Sequence, residues 1–251
     1  MHPKLNLDKW RDSYEPGKRF NVARSAMMRV TTILIYGGAF DPPHYGHLKT
    51  AVAIQNHLHF EKFLFLPCKT AVLKKASLAT PRQRMHMLRL ALQEYPQFQI
   101  DTREIKRDSP SYMVETLISF RQEFGPSAAI TLCLGTDAFL QLPHWHASDK
   151  LLTLAHLLVI TRATFDMSAV SNQMKQLLTH HQQPNATALL TQPFGSIYYF
   201  DAGQYPISSS TLRHQLQTGQ NTLDCMPKNV EKYIKLKNIY SAGSRSVKGD
   251  A

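Results

Sequence analysis

An α/β fold with a doubly wound, mainly parallel sheet is predicted by three observations. Short β-branched or apolar runs, such as Val30 to Tyr36 and Ala129 to Leu134, read as buried strands. Between them lie stretches with apolar residues every three to four positions, and the alternation persists from residue 30 to residue 219. Two of the strand-like runs end in glycine-bearing loops, Gly37-Gly38 and Gly135-Thr136-Asp137, where open α/β sheets place their ligands.

The elements follow in order. The first strand leads through Gly37 to His47 into a helix with Leu48, Ala51, Val52 and Leu58 on its apolar side. A strand at Lys62 to Pro67 precedes a lysine-bearing loop at 68–79. Thr80-Pro81-Arg82-Gln83 is a capping box with proline at the first helical position, and Met85, Leu88, Ala91, Leu92 and Tyr95 form the stripe behind it. His86 and Met87 read as packing residues. After a strand near Phe98 to Asp101, Ser109-Pro110-Ser111-Tyr112 opens a helix with Val114, Leu117, Ile118 and Phe124 inward. Further strands are expected at Ala129 to Leu134, His156 to Thr161 and Ile197 to Asp201. Helices are expected from Met167 to Thr179 and from Ile207 to near Gly219, with a loop at 181–195 and His180-His181 as a solvated helix end.

Composition narrows the class. The chain has 251 residues, 43% of them apolar, enough for one α/β domain with a sizeable core. The domain is expected over 28–240, after a poorly ordered extension at 1–27 and before a tail at 241–251. The longest apolar run, Leu151 to Ile160, is too short to span a bilayer. Residues 1–30 carry seven Lys or Arg and no apolar segment of the signal-peptide kind. Cys68, Cys133 and Cys225 form no CxxC pair and read as free thiols, so a cytoplasmic location and no membrane partner are expected. The net charge of +11 divides as +4 in residues 1–30, +4 in 228–251 and only +3 between them. That distribution argues against a nucleic-acid partner and for a body that takes phosphorylated small molecules.

The chemistry is concentrated in Gly37-Gly38-Ala39-Phe40-Asp41-Pro42-Pro43-His44-Tyr45-Gly46-His47. Glycines at a strand end let backbone N–H groups approach an anion, and the helix that follows adds positive potential at its N-terminus. His44 and His47, three apart around Gly46, face the same oxyanion from the first turn. A second anion site is expected at Ile207-Ser208-Ser209-Ser210-Thr211-Leu212-Arg213, where hydroxyls precede a helix and an arginine follows one turn in. His144-Trp145-His146, alternate residues in a loop without neighbouring Cys or carboxylates, is not read as a metal site.

The first stretch resembles the GGxFDPxHxGH signature of the nucleotidylyltransferase superfamily, and the second resembles its closing ISSTxIR motif, with Ser210 at the usual Thr. Ser109-Pro110-Ser111-Tyr112 with Thr116-Leu117, and Gly135-Thr136-Asp137 with Trp145, are similar to segments of bacterial nicotinate-nucleotide adenylyltransferases. The resemblance covers roughly residues 29–240 and implies a Rossmann-like fold. It also implies transfer of the adenylyl group of ATP to nicotinate mononucleotide, with Mg²⁺ brought by ATP. By the same resemblance, His44 and His47 are catalytic at the triphosphate. Gly38, Ala39, Phe40, Gly135, Asp137, Ser209, Ser210 and Arg213 complete the ATP side, Asp137 at the sugar. Gly38, Lys74, Tyr112, Thr116 and Trp145 take the mononucleotide. Three positions depart from the pattern: Ala71-Val72-Leu73-Lys74 replaces PPH(K/R), Met113 replaces a Thr, and Ala39 a Thr or Ser. Alternatives are a phosphopantetheine adenylyltransferase, a cytidylyltransferase, and a basic nucleic-acid-binding module. Oligomeric state is not legible.

Overall fold

The structure, a computed structural model, describes residues 30–70, 76–161, 170–222 and 224–241. The expected extension at 1–27, Lys74, and the expected tail beyond Ser241 lie outside the described residues. One sheet carries β1 (Thr32–Gly38), β2 (Lys62–Pro67), β3 (Phe98–Ile100), β4 (Ala129–Gly135), β5 (His156–Thr161) and β6 (Ile197–Asp201). Its order is β3-β2-β1-β4-β5-β6, and every pair is parallel. The chain winds outward from β1 one way and from β4 the other, so the crevice for a ligand opens between their carboxyl ends.

Both faces of the sheet are covered, which is why its central strands are apolar without interruption. Ile33, Leu34 and Ile35 are all fully buried. Successive side chains point to opposite sides. Leu34, Phe63, Phe65 and Leu158 enter one core, while Ile33, Ile35, Leu64 and Leu132 enter the other. The first core is closed by α1 (Tyr45–Leu58), α2 (Pro81–Ala91), α8 (Ser209–Gln217) and α9 (Lys228–Leu236). The second is closed by α4 (Met113–Phe124) and α6 (Asn172–His181). Short helices α3 (Arg103–Lys106), α5 (Thr136–Leu140) and α7 (Thr187–Thr191) complete the set, and the expected capping box of α2 is present, with Thr80 Oγ1 accepting from Gln83 N at 3.2 Å.

Several boundaries differ from the sequence reading. β1 runs on through Gly38, because Gly37 and Gly38 still pair with Leu66 and Pro67. α6 runs from Asn172, with the Ser171 hydroxyl capping Met174 N at 3.3 Å, and the expected start near Met167 lies outside the described residues. The loop expected at 181–195 contains α7, and the His181 ring is tied to the Gly195 carbonyl at 2.7 Å rather than solvated. The basic C-terminal stretch is not a free tail up to residue 241. α9 lies against α2, Asn229 Nδ2 donating to the Leu90 carbonyl at 2.8 Å, and Lys228, Lys232 and Lys235 line its exposed side.

Candidate active site

The site begins where β1 ends. A Cβ at Gly38 would meet the Phe40 ring at 3.0 Å, so only glycine lets that ring fold back under the strand end. Phe40 is itself left-handed, with φ of 51°, and is held there by burial against Tyr36, Phe65 and His47. This turn delivers Asp41 to His44 onto the N-terminus of α1.

His44 is the N-cap of α1 and is 2% exposed, whereas His47 is half-buried. Their rings stack at 3.7 Å between centroids. A Cβ on Gly46 would come within 2.9 Å of the His44 ring, so the glycine between the histidines is what allows that stack. His47 Nδ1 accepts the His44 backbone N–H at 3.3 Å. In the neutral ring an accepting Nδ1 puts the proton on Nε2, leaving an N–H donor as the outward group.

The second motif closes on the first. The Ile207 carbonyl lies 3.5 Å from where a Gly46 Cβ would sit. Ser208 caps α8 by accepting from Thr211 N at 3.1 Å, Ser209 Oγ donates to the Pro42 carbonyl at 3.0 Å, and Arg213 Nη1 donates to the Asp41 carbonyl at 2.7 Å. Arg213 Nη2 reaches Ser210 Oγ at 3.2 Å. Two helix N-termini thus meet beside the end of β1, with two histidines, Ser210 and an arginine at the junction. The sequence reading gave Ser209 and Arg213 wholly to phosphate. The structure commits the Ser209 hydroxyl and one arm of Arg213 to holding the loop after β1.

Across the crevice, Gly135 and Asp137 are exposed at the end of β4 and the start of α5, and Thr136 Oγ1 donates to the Ile160 carbonyl at 3.0 Å. Tyr112 precedes α4 and its ring lies 4.4 Å from that of His146. Trp145 is half-buried against the second core. Met113 Cε approaches within 3.7 Å of the Cβ position on Gly37, which links this side to β1. Thr116 does not line the crevice. It is fully buried, donating to Glu104 at 2.8 Å and accepting from Arg107 at 3.1 Å. Burial pushes the Glu104 carboxyl above its ordinary value, against the Thr116 bond and the Arg107 charge.

Three residues that support the site were given no role from the sequence. Asp41 is 3% exposed and accepts from Tyr240 Oη at 2.6 Å, Leu78 N at 2.9 Å and Ala79 N at 3.1 Å, with Arg213 Nη1 3.7 Å away. Arg84 is fully buried and donates to the carbonyls of Ala39, Cys68 and Lys69, each at 2.8 Å, clamping the loops after β1 and β2 together. Its signal was available, since Arg84 stands four residues before Leu88 on the apolar stripe of α2. Tyr240 carried no local signal. Among the described residues no group of three His, Cys, Asp or Glu is placed to hold a metal ion. No described helix is long and apolar enough to cross a membrane.

A six-stranded parallel sheet with two helix N-termini meeting at its switch point defines a nucleotide-binding α/β protein of the nucleotidyl-transferring class. The chain belongs to the cytidylyltransferase-like family, whose model matches residues 35–215. It is 45% identical, over 83% of its length and 99% of the relative's, to a Legionella pneumophila protein named "Probable nicotinate-nucleotide adenylyltransferase". It is 35% identical, over 82% of its length and 97% of the relative's, to the Escherichia coli protein named "Nicotinate-nucleotide adenylyltransferase". The fold is shared with the nicotinic acid mononucleotide adenylyltransferase of Plasmodium falciparum, at a TM-score of 0.62 and 20% identity, over 83% of this chain and 96% of that one.

Proposed function

We infer that the chain transfers the adenylyl group of ATP to nicotinate mononucleotide, releasing pyrophosphate. The carrying observation is the meeting of the α1 and α8 N-termini at the end of β1, supported by the names of relatives that match nearly end to end. The mononucleotide phosphate oxygen attacks the α-phosphorus of ATP, that P–O bond forms, and the bond to the β-phosphate oxygen breaks. A phosphate already ionised near neutral pH needs no general base, so the protein's part is alignment and stabilisation of charge. His47 donates from Nε2 to the charge growing at the α-phosphate. His44 fixes that ring by stacking, and the α8 start with Ser210 and the Nη2 side of Arg213 holds the outer phosphates. Asp137 takes the sugar, and the crevice side bearing Tyr112 and Trp145 takes the mononucleotide.

Mg²⁺ enters with ATP, held by phosphate oxygens. The Asp41 carboxylate already accepts three hydrogen bonds and faces the Arg213 guanidinium at 3.7 Å, so it is committed to the fold rather than to the ion. The reaction belongs to the cytoplasm, where ATP and the mononucleotide are found. The test is pyrophosphate release from ATP and Mg²⁺ with nicotinate mononucleotide, nicotinamide mononucleotide or phosphopantetheine, and from CTP in place of ATP. Nicotinate mononucleotide with ATP should give the highest turnover. Equal turnover with phosphopantetheine, or with CTP, would replace this reading.

A further inference from the structure

Resting on the adenylyl-transfer reading, we propose that Tyr240 is a positioning residue for the ATP side of the site, acting through the Asp41 carboxylate on the loop that carries His44 and His47. The hydroxyl donates to Asp41 Oδ1 at 2.6 Å although 199 positions separate the two residues. Both side chains are essentially removed from water, Tyr240 being 1% exposed and Asp41 3%.

The placement of this hydroxyl is built by the end of α9. Asn238 takes the left-handed conformation, with φ of 49°, while Ile239 N donates to the Ile234 carbonyl at 3.0 Å and Asn238 N to that of Lys235 at 3.2 Å. Those two bonds are the Schellman pattern that closes a helix and reverses the chain. The reversal aims Tyr240 back into the body. α9 is itself fixed, with Val230 and Ile234 buried and Asn229 bonded to α2. The same segment touches α1 directly, for Tyr45 N donates to the Cys225 carbonyl at 2.8 Å.

Asp41 gathers four structures on one carboxyl-bearing residue. Its oxygens take Tyr240, the backbone of Leu78 and Ala79, and the Arg213 charge, while its carbonyl takes Arg213 Nη1. His44 follows three residues later as the cap of α1. Loss of the Tyr240 hydroxyl leaves a buried carboxylate oxygen short of a donor, and the cheapest relief is a shift of Asp41 toward Arg213. Such a shift misaligns both helix starts against the triphosphate. Burial and the neighbouring carboxylate hold the Tyr240 hydroxyl protonated far above its ordinary range, so it remains a donor on the alkaline side.

The experiment compares wild type, Tyr240→Phe, Asp41→Asn and the double variant with ATP, Mg²⁺ and nicotinate mononucleotide, well below each Tm. Tyr240→Phe should raise KM for ATP about fivefold to tenfold, as small misplacements do, with the mononucleotide KM within about twofold. In the Asp41→Asn background the same change should add less than about twofold. A fall in Tm with an unchanged KM for ATP would mean that Tyr240 merely braces the fold. An equal effect in both backgrounds would also overturn the proposal. Should Tyr240→Phe fail to fold, Asn238→Val, which strains the turn but keeps the hydroxyl, must raise KM for ATP in the same way; a normal KM there overturns it. A wild type that releases no pyrophosphate defeats the reaction reading instead. Calorimetric binding of an α,β-methylene ATP analogue then decides the positioning role, a Kd unchanged in Tyr240→Phe being the contrary result.

Discussion

Arg213 donates from Nη1 to the backbone carbonyl of Asp41 at 2.7 Å, joining α8 to the loop after β1 across 172 residues of sequence. A surface arginine that only gripped terminal phosphates would be free to be lost without harm to the fold. This one is not. Arg213→Ala should remove about 2 kcal/mol, the worth of a largely enclosed hydrogen bond to a charged group. Calorimetry should then show Tm lower by about 5 °C, together with a raised KM for ATP. An unchanged Tm would return the side chain to a purely phosphate-binding role.

Thr116 supplies the opposite case, a residue assigned to ligand by resemblance and placed in the interior by the fold. Its hydroxyl joins buried Glu104 to Arg107. Thr116→Val should therefore cost about 1–3 kcal/mol, the penalty of a buried acceptor left without its donor. Nicotinate mononucleotide should keep its KM within about twofold. A large rise in that KM with normal stability would show that the hydroxyl reaches substrate.

His156 gives the fold an acid-sensitive point away from the crevice. It is fully buried, its Nδ1 accepting Ser196 N at 3.0 Å and its Nε2 donating to the Gln192 carbonyl at 2.8 Å. Burial pushes its pKa down from 6.5 to about 4, helped by the Arg121 charge. The unfolded chain takes up this proton below about pH 6.5 and the folded chain only near 4, so the contribution is complete above 6.5 and lost as pH falls between those values. The loss amounts to about 3 kcal/mol. Denaturant melts across that window should be flatter for His156→Gln than for wild type. Parallel slopes would remove His156 from the acid response.

The alternation of elements and the two anion-binding motifs were legible because each is local. The buried run Ile33 to Ile35 and the His44-Tyr45-Gly46-His47 spacing carry their meaning within one strand or one helical turn. What could not be read were side chains whose partners are remote. Asp41 looks like one more polar residue in a turn until Tyr240 and Arg213 arrive from the far end of the chain. Thr116 lies in a recognisable segment, yet its hydroxyl direction depends on α3, a four-residue helix too short to announce itself. Arg84 was legible in part, because a charge on an apolar stripe implies a buried partner, though not that the partners are three carbonyls.

The most direct test of the proposed chemistry is the steady-state kinetics of His47→Ala. The ring keeps its Nε2–H outward by accepting the His44 N–H on Nδ1, and in the proposed mechanism that donor meets the charge that grows as the α-phosphate becomes five-coordinate. Removing it should lower kcat by about two to three decades, the effect of losing one donor to a developing oxyanion. KM for ATP should change much less. The lost cap bond should cost only about 1 kcal/mol of stability, so the variant remains folded. A His47→Ala enzyme with near-normal kcat would contradict the mechanism, leaving His47 as a residue that only starts a helix.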